Sequence, residues 1–104
     1  MDEPHDWPQI AALYGELARL TGSPIVELNR AIAVAEAEGA EAGLALVDRL
    51  DLDSYQYFHS TRADLLRRLG RADDARTEYE RALELAHTEH DRRFLRRRIS
   101  EVSA

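Results

Sequence analysis

Residues 57–86, YFHSTRADLLRRLGRADDARTEYERALELA, decide how this chain folds. Leu65, Leu66 and Leu69 keep to one stripe of a helix through Arg62–Leu69, as a 3.6-residue period requires. Gly70 follows as the residue that can take a positive φ, so the helix stops there and the chain reverses. Ala75, Tyr79, Ala82, Leu83 and Ala86 then recur at offsets of three and four along a second helix. Small residues on the facing stripes, with one aromatic ring filling the space between, predict a tightly packed helical hairpin.

Outward from this hairpin the same logic holds. Asp6-Trp7-Pro8-Gln9 opens a first helix, with Asp6 as N-cap, Pro8 in the first turn and Gln9 at capping-box spacing. Ile10, Leu13, Tyr14, Leu17 and Leu20 form its apolar stripe, and Thr21-Gly22 ends it. Ser23-Pro24 starts a second helix running to about Glu38, expected to bury Ile25, Leu28, Ile32, Val34 and Ala35. After Gly39 a short third helix spans Glu41 to Leu50, with Leu44, Val47 and Leu50 inward. Asp53 or Ser54 is the expected cap of helix four. On the other side, Thr88-Glu89-His90-Asp91 caps a sixth helix carrying Leu95, Ile99 and Val102 inward, with Phe94 beside them. No alternating run persists, so no strand is predicted. The expected fold class is all-α: about six helices in antiparallel hairpins joined by short turns.

Helices two and three repeat helices four and five at an offset of 32: Ala31 matches Ala63, Gly43 matches Ala75, Val47 matches Tyr79 and Leu50 matches Ala82. Ala63, Leu69-Gly70, Ala75, Tyr79 and Ala82 resemble the tetratricopeptide repeat, in which helix pairs stack because one pair cannot cover its own apolar face. That resemblance implies a right-handed stack, with helix one covering one end and helix six the other.

The chain of 104 residues is sized for a single domain burying roughly two-thirds of its unfolded surface. Cysteine is absent, which excludes disulfides and thiolate metal ligands and is compatible with a reducing cytoplasm. No apolar run approaches the roughly 20 residues of a membrane span, and the acidic Met1-Asp2-Glu3 is unlike a secretion signal. The expected location is therefore cytoplasmic, without membrane contact. All 14 basic residues are arginine, and they are unevenly placed. Residues 1–61 hold three arginines against eleven acids, whereas residues 62–104 hold eleven against nine. An acidic half disfavours general nucleic-acid binding, and the asymmetry either orients a charged protein partner or reflects two solvated faces.

A second resemblance covers nearly the whole chain. Asp6-Trp7, Ile10 and Leu13-Tyr14, followed by Ser23-Pro24-Ile25-Val26-Glu27-Leu28-Asn29-Arg30-Ala31-Ile32-Ala33-Val34-Ala35, resemble the C-terminal extension of a group of extracytoplasmic-function (ECF) RNA polymerase sigma factors. Gly43-Leu44, Asp51-Leu52-Asp53-Ser54-Tyr55, Arg62-Ala63-Asp64-Leu65-Leu66-Arg67-Arg68-Leu69-Gly70-Arg71 and Phe94-Leu95-Arg96-Arg97-Arg98 continue the pattern. SPIVELNRAIAVA is its most specific part, because ordinary tetratricopeptide repeats do not share it. The resemblance implies a tetratricopeptide-like regulatory domain acting through contacts with the sigma core, RNA polymerase or a regulatory protein. The family's promoter-recognition and polymerase-binding regions are not among these residues. The expectation is thus a fragment of a longer protein, with Met1 not its natural start and DNA contacted only through the missing regions. The alternative is a free-standing tetratricopeptide-like adaptor that binds a peptide or forms a homodimer.

Asn29 is the leading candidate for partner binding. In the repeat register it faces the concave groove, where an amide both donates to and accepts from a peptide backbone; the alternative is that Asn29 and Arg30 fix helix packing. Tyr57, Ser60, Thr61, Asp64, Arg67 and Arg68 occupy the matching positions on helix four, and the expected docking groove lies between helices two and four. Arg67 and Arg68 suit an acidic or C-terminal carboxylate, against the alternative of a solvated face with an Asp64–Arg68 pair at i,i+4. Arg92, Arg93, Arg96, Arg97 and Arg98 are interleaved with acids, which favours a solvated helix or an acidic protein surface over DNA. His87 and His90 lack a fuller ligand set for a metal, and His59 is expected to pack among Tyr55, Tyr57 and Phe58. Nothing in the sequence calls for a cofactor, and no nucleophile–base pair, phosphate loop or paired-carboxylate pocket argues for an enzyme.

Overall fold

A computed structural model describes residues 6–104; the Met1-Asp2-Glu3 segment lies outside the described residues. Six α-helices follow one another: α1 (Trp7–Thr21), α2 (Pro24–Glu38), α3 (Ala40–Val47), α4 (Gln56–Arg68), α5 (Ala72–Leu85) and α6 (Glu89–Val102). No strand occurs among the described residues.

The helix ends are set by local chemistry. Asp6 accepts from the Gln9 amide at 3.1 Å, Ser23 from the Val26 amide at 3.3 Å and Thr88 from the Asp91 amide at 3.0 Å. Each bond satisfies an amide that the first turn leaves without a partner. At the other end of α4, Gly70 sits at φ +77°. Its N–H reaches the Arg67 carbonyl at 3.0 Å while the Arg71 N–H reaches the Leu66 carbonyl at 2.9 Å. This paired closure is the Schellman motif, and its left-handed residue explains why glycine stands there. The start of α4 differs from expectation: Tyr55, not Asp53 or Ser54, occupies the cap, with no side-chain bond. The Asp53 carbonyl is instead drawn to the His59 ring at 2.7 Å. At the end of α3 the regular helix stops at Val47, and the Leu50 N–H bonds back to the Val47 carbonyl in a closing turn.

The helices gather into two compact units, α1–α3 up to Leu50 and α4–α6 from Asp51 onward. In the first, Ala11, Ala33 and Val34 form a core, with Trp7, Ile10, Tyr14, Ala42 and Leu46 packed against it. Gly43 lets α3 approach α2: a Cβ there would lie 2.6 Å from the Ala35 Cβ and 2.9 Å from the Ala31 carbonyl oxygen. In the second unit Ala63, Ala75, Tyr79 and Ala82 are fully buried, with Leu66 and Leu95. Ala31, Gly43 and Val47 are likewise buried, so three of the four positions matched at an offset of 32 serve alike within each hairpin; Leu50, expected inward and matched to the buried Ala82, is only half-buried because α3 has already ended at Val47.

The burial pattern departs from expectation on α1 and α2. The first helix carries two stripes, and the smaller one faces inward. Ala11 and Ala18 are buried, Gly15 lies between them under the Arg30 guanidinium, and Leu13, Leu17 and Leu20 are left exposed. Ile25 and Ile32 on α2 are exposed too, while Leu28, Ala31, Val34 and Ala35 are buried. Close approach through small side chains puts the larger ones at the rim.

Candidate functional site

The first unit presents a groove lined by Trp7, Ile10, Tyr14, Asn29, Ile32 and Ala33. Its walls come from α1 and α2, because Ile25, Asn29 and Ile32 share one helical face at spacings of four and three. Ile10 and Tyr14 also belong to a second depression with Leu13 and Leu17, so apolar surface continues across α1. Asn29 is half-buried and supplies the amide in an otherwise apolar and aromatic lining. A few polar groups set in an apolar concavity are the usual composition of a binding site. Arg30, its neighbour, is directed elsewhere: its Nη1 lies 3.4 Å from Glu27 and its side chain crosses Gly15.

The remaining candidates stand on α4 in the second unit, and most are bonded within it. Asp64 receives Arg67 Nη2 at 2.6 Å and Arg68 Nε at 3.0 Å, so the i,i+4 pair weighed from the sequence is formed. Arg67 also donates through Nε to the buried Tyr79 hydroxyl at 3.4 Å, which ties it to the core of the α4–α5 hairpin. Bonding to Asp64, then to Tyr79, holds the Arg67 pKa above its ordinary value. Tyr57 is exposed, and its hydroxyl donates to Asp91 of α6 at 3.0 Å. That bond is the main cause of the raised Tyr57 pKa. Bonds from Gln56, then Tyr57 and Thr88, hold the Asp91 carboxyl below its ordinary value. Thr61 is half-buried on the same helix.

Sequence reasoning missed a buried polar cluster. His59 is buried, with Nδ1 2.8 Å from Glu78 and Nε2 2.7 Å from the Asp53 carbonyl. Arg62 meets the other Glu78 oxygen at 3.0 Å, and the Phe58 ring lies edge-on to the imidazole at 5.0 Å. A signal was available: His59 and Glu78 sit nearly symmetrically about the Gly70 turn, as Ala63 and Ala75 do. On α6, Arg92 and Arg96 pair with Glu89, Arg98 with Glu101, and Arg98 stacks over Phe94 at 5.2 Å. Much of the basic cluster is thereby neutralised within its own helix. Among the described residues no group of three or more His, Asp or Glu side chains is gathered for a metal, and no helix is long and apolar enough to cross a membrane.

Comparison with known proteins adds one relative. An uncharacterized protein of Rhizobium meliloti (strain 1021) is 44% identical over 104 residues, which is 98% of this chain and 25% of that protein. The chain spans about a quarter of the length of the relative it matches. No family model matches the chain, and no solved structure matches it.

Proposed function

We propose that this chain is a non-catalytic protein-docking domain from the C-terminal end of an ECF-type RNA polymerase sigma factor, acting in the cytoplasm during transcription initiation. Its partner is the sigma core, RNA polymerase or a regulatory protein, and DNA is contacted only by other regions of the parent. The observation that carries the docking role is the α1–α2 groove, where the Asn29 amide stands among Trp7, Ile10, Tyr14 and Ile32. An extended backbone offers an amide of this kind both a carbonyl and an N–H, while the rings and branched chains take its apolar side chains.

The assignment to sigma factors rests on the Ser23–Ala35 block and on the segments that continue it to Arg98. A match confined to 25% of its relative is in keeping with a module of a longer polypeptide. In the same reading the α2–α3 and α4–α5 hairpins are successive tetratricopeptide-like repeats stacked right-handedly, with Gly43 and Ala75 as the small contact residues. The tight internal pairing of Asp64, Arg67 and Arg68 moves the weight of docking from α4 to Asn29.

Replacing Asn29 by Leu in the longer natural protein tests this. Association with its partner, read by co-purification with RNA polymerase and by transcription from its own promoter, is expected to fall about tenfold, near 1.4 kcal/mol, with an unchanged melting temperature. Undiminished association and transcription would refute a docking role for the groove.

A further inference from the structure

The outer edge of α1 carries a pattern that meets the groove only at Ile10. Ile10, Leu13, Leu17 and Leu20 follow one another at spacings of three, four and three, the a/d rhythm by which one helix lies along another. Leu13, Leu17 and Leu20 are 65%, 44% and 69% exposed, although leucine is among the residues most often buried. The small stripe of Ala11, Gly15 and Ala18 already holds α1 on α2, which leaves Leu13, Leu17 and Leu20 largely outside the unit's own packing.

We propose that this leucine seam is the seat of an amphipathic helix from the same polypeptide, contributed by sequence outside these 104 residues. The inference rests on the reading of the chain as a module of a longer protein. Two observations select that occupant over a second copy. The seam exposes three leucines on one helix edge, whereas a standard association between separate proteins draws on roughly 20–30 residues and ~800 Å² from each partner. A tethered helix needs less area, because its effective concentration is in the millimolar range for a short flexible link. The matched relative also has three quarters of its length outside the aligned region, ample chain to supply such a helix. The seam's own flank is close to neutral, since Glu16 and Arg19 pair with each other on α1. The occupant is therefore an apolar-striped helix, with no strong charge demanded of it.

Hydrogen exchange of the α1 amides, compared between the longer natural protein and the 104-residue chain, is the test. The longer protein is expected to slow exchange across Ile10–Thr21 at least tenfold. A Leu13→Gln/Leu17→Gln pair in that protein should restore the faster rate while α2 and α3 keep theirs, which shows that the unit carrying α1 is folded. In the 104-residue chain the same pair leaves α1 exchange unchanged, and sedimentation gives a monomer with or without it. Equal α1 exchange in the two lengths overturns the proposal, as does a natural reading frame confined to these residues. A 104-residue dimer dissociated by the leucine pair overturns it in favour of a second copy. Protection of α1 that persists when Asn29→Leu has no effect on transcription would sink the docking function and leave the seam standing.

Discussion

Tyr79 and His59 show what single side chains contribute within the second unit. Tyr79 is fully buried on α5, and burial is the first cause of its raised pKa, with the bond from Arg67 acting the other way. The unfolded chain releases this proton first, near its ordinary value of 10.0. The stability it confers is therefore complete below about pH 10 and is lost as pH rises through the folded value. Tyr79→Phe is expected to cost about 0.5–1 kcal/mol at neutral pH, the worth of one long hydrogen bond, and to flatten the alkaline decline. Urea titrations at neutral pH and above pH 10 check both parts, and an equally steep decline in the variant would count against them. His59 joins two elements through its ring, Glu78 on one side and the Asp53 carbonyl on the other. His59→Ala should cost about 2–3 kcal/mol and speed amide exchange at residues 52–55; unaltered exchange there would mean that the ring does not hold the turn.

Between elements, small residues decide the packing. Gly43→Ala would give about 1 kcal/mol of helix propensity in open space. Here the new methyl meets the Ala35 Cβ at 2.6 Å and the Ala31 carbonyl at 2.9 Å, neither able to swing away, and overpacking costs about 1–3 kcal/mol. Net destabilisation in a thermal melt is the expected result, and a gain would show that α2 and α3 part easily. Ala63→Leu, at a fully buried position of α4, should likewise lose about 1–3 kcal/mol. The α4–α6 tie is sensitive to acid. Asp91 is held below its ordinary value of 3.8, so the stability it lends is present above that value and lost as pH falls through the folded one. Asp91→Asn should flatten the acid limb of a stability profile, whereas an unchanged limb would dismiss the tie. The helices, their glycine stops and three side-chain caps were legible because each depends on a few adjacent residues. The inward face of α1 was not. Its leucine and alanine stripes both follow a helical period, and only the closeness of α2 chooses the small one. The α4 cap was misplaced as well: Tyr55 takes that position, and His59, six residues on from Asp53, meets the Asp53 carbonyl.

For the molecule as a whole, the repeat register assigned Asn29 to a groove between helices two and four, whereas the groove that the structure shows at Asn29 lies between α1 and α2. The other wall of that groove was hidden from the sequence, because it depends on which stripe of α1 turns inward. Arg67, Arg68 and Asp64 were legible as a charged cluster, but their engagement with one another and with Tyr79 depends on how α4 meets α5. The charge asymmetry carries less than its arginine count suggests, since many guanidinium groups are paired with acids three or four residues away. What these features share is bonding kept within each unit, with apolar surface on α1 and α2 left exposed. The proposed function is tested most directly by comparing the parent protein that it implies with a version ending before Trp7, for polymerase association and for transcription from its promoter. The docking account predicts that both fall in the shortened protein; association and transcription at undiminished levels would contradict it.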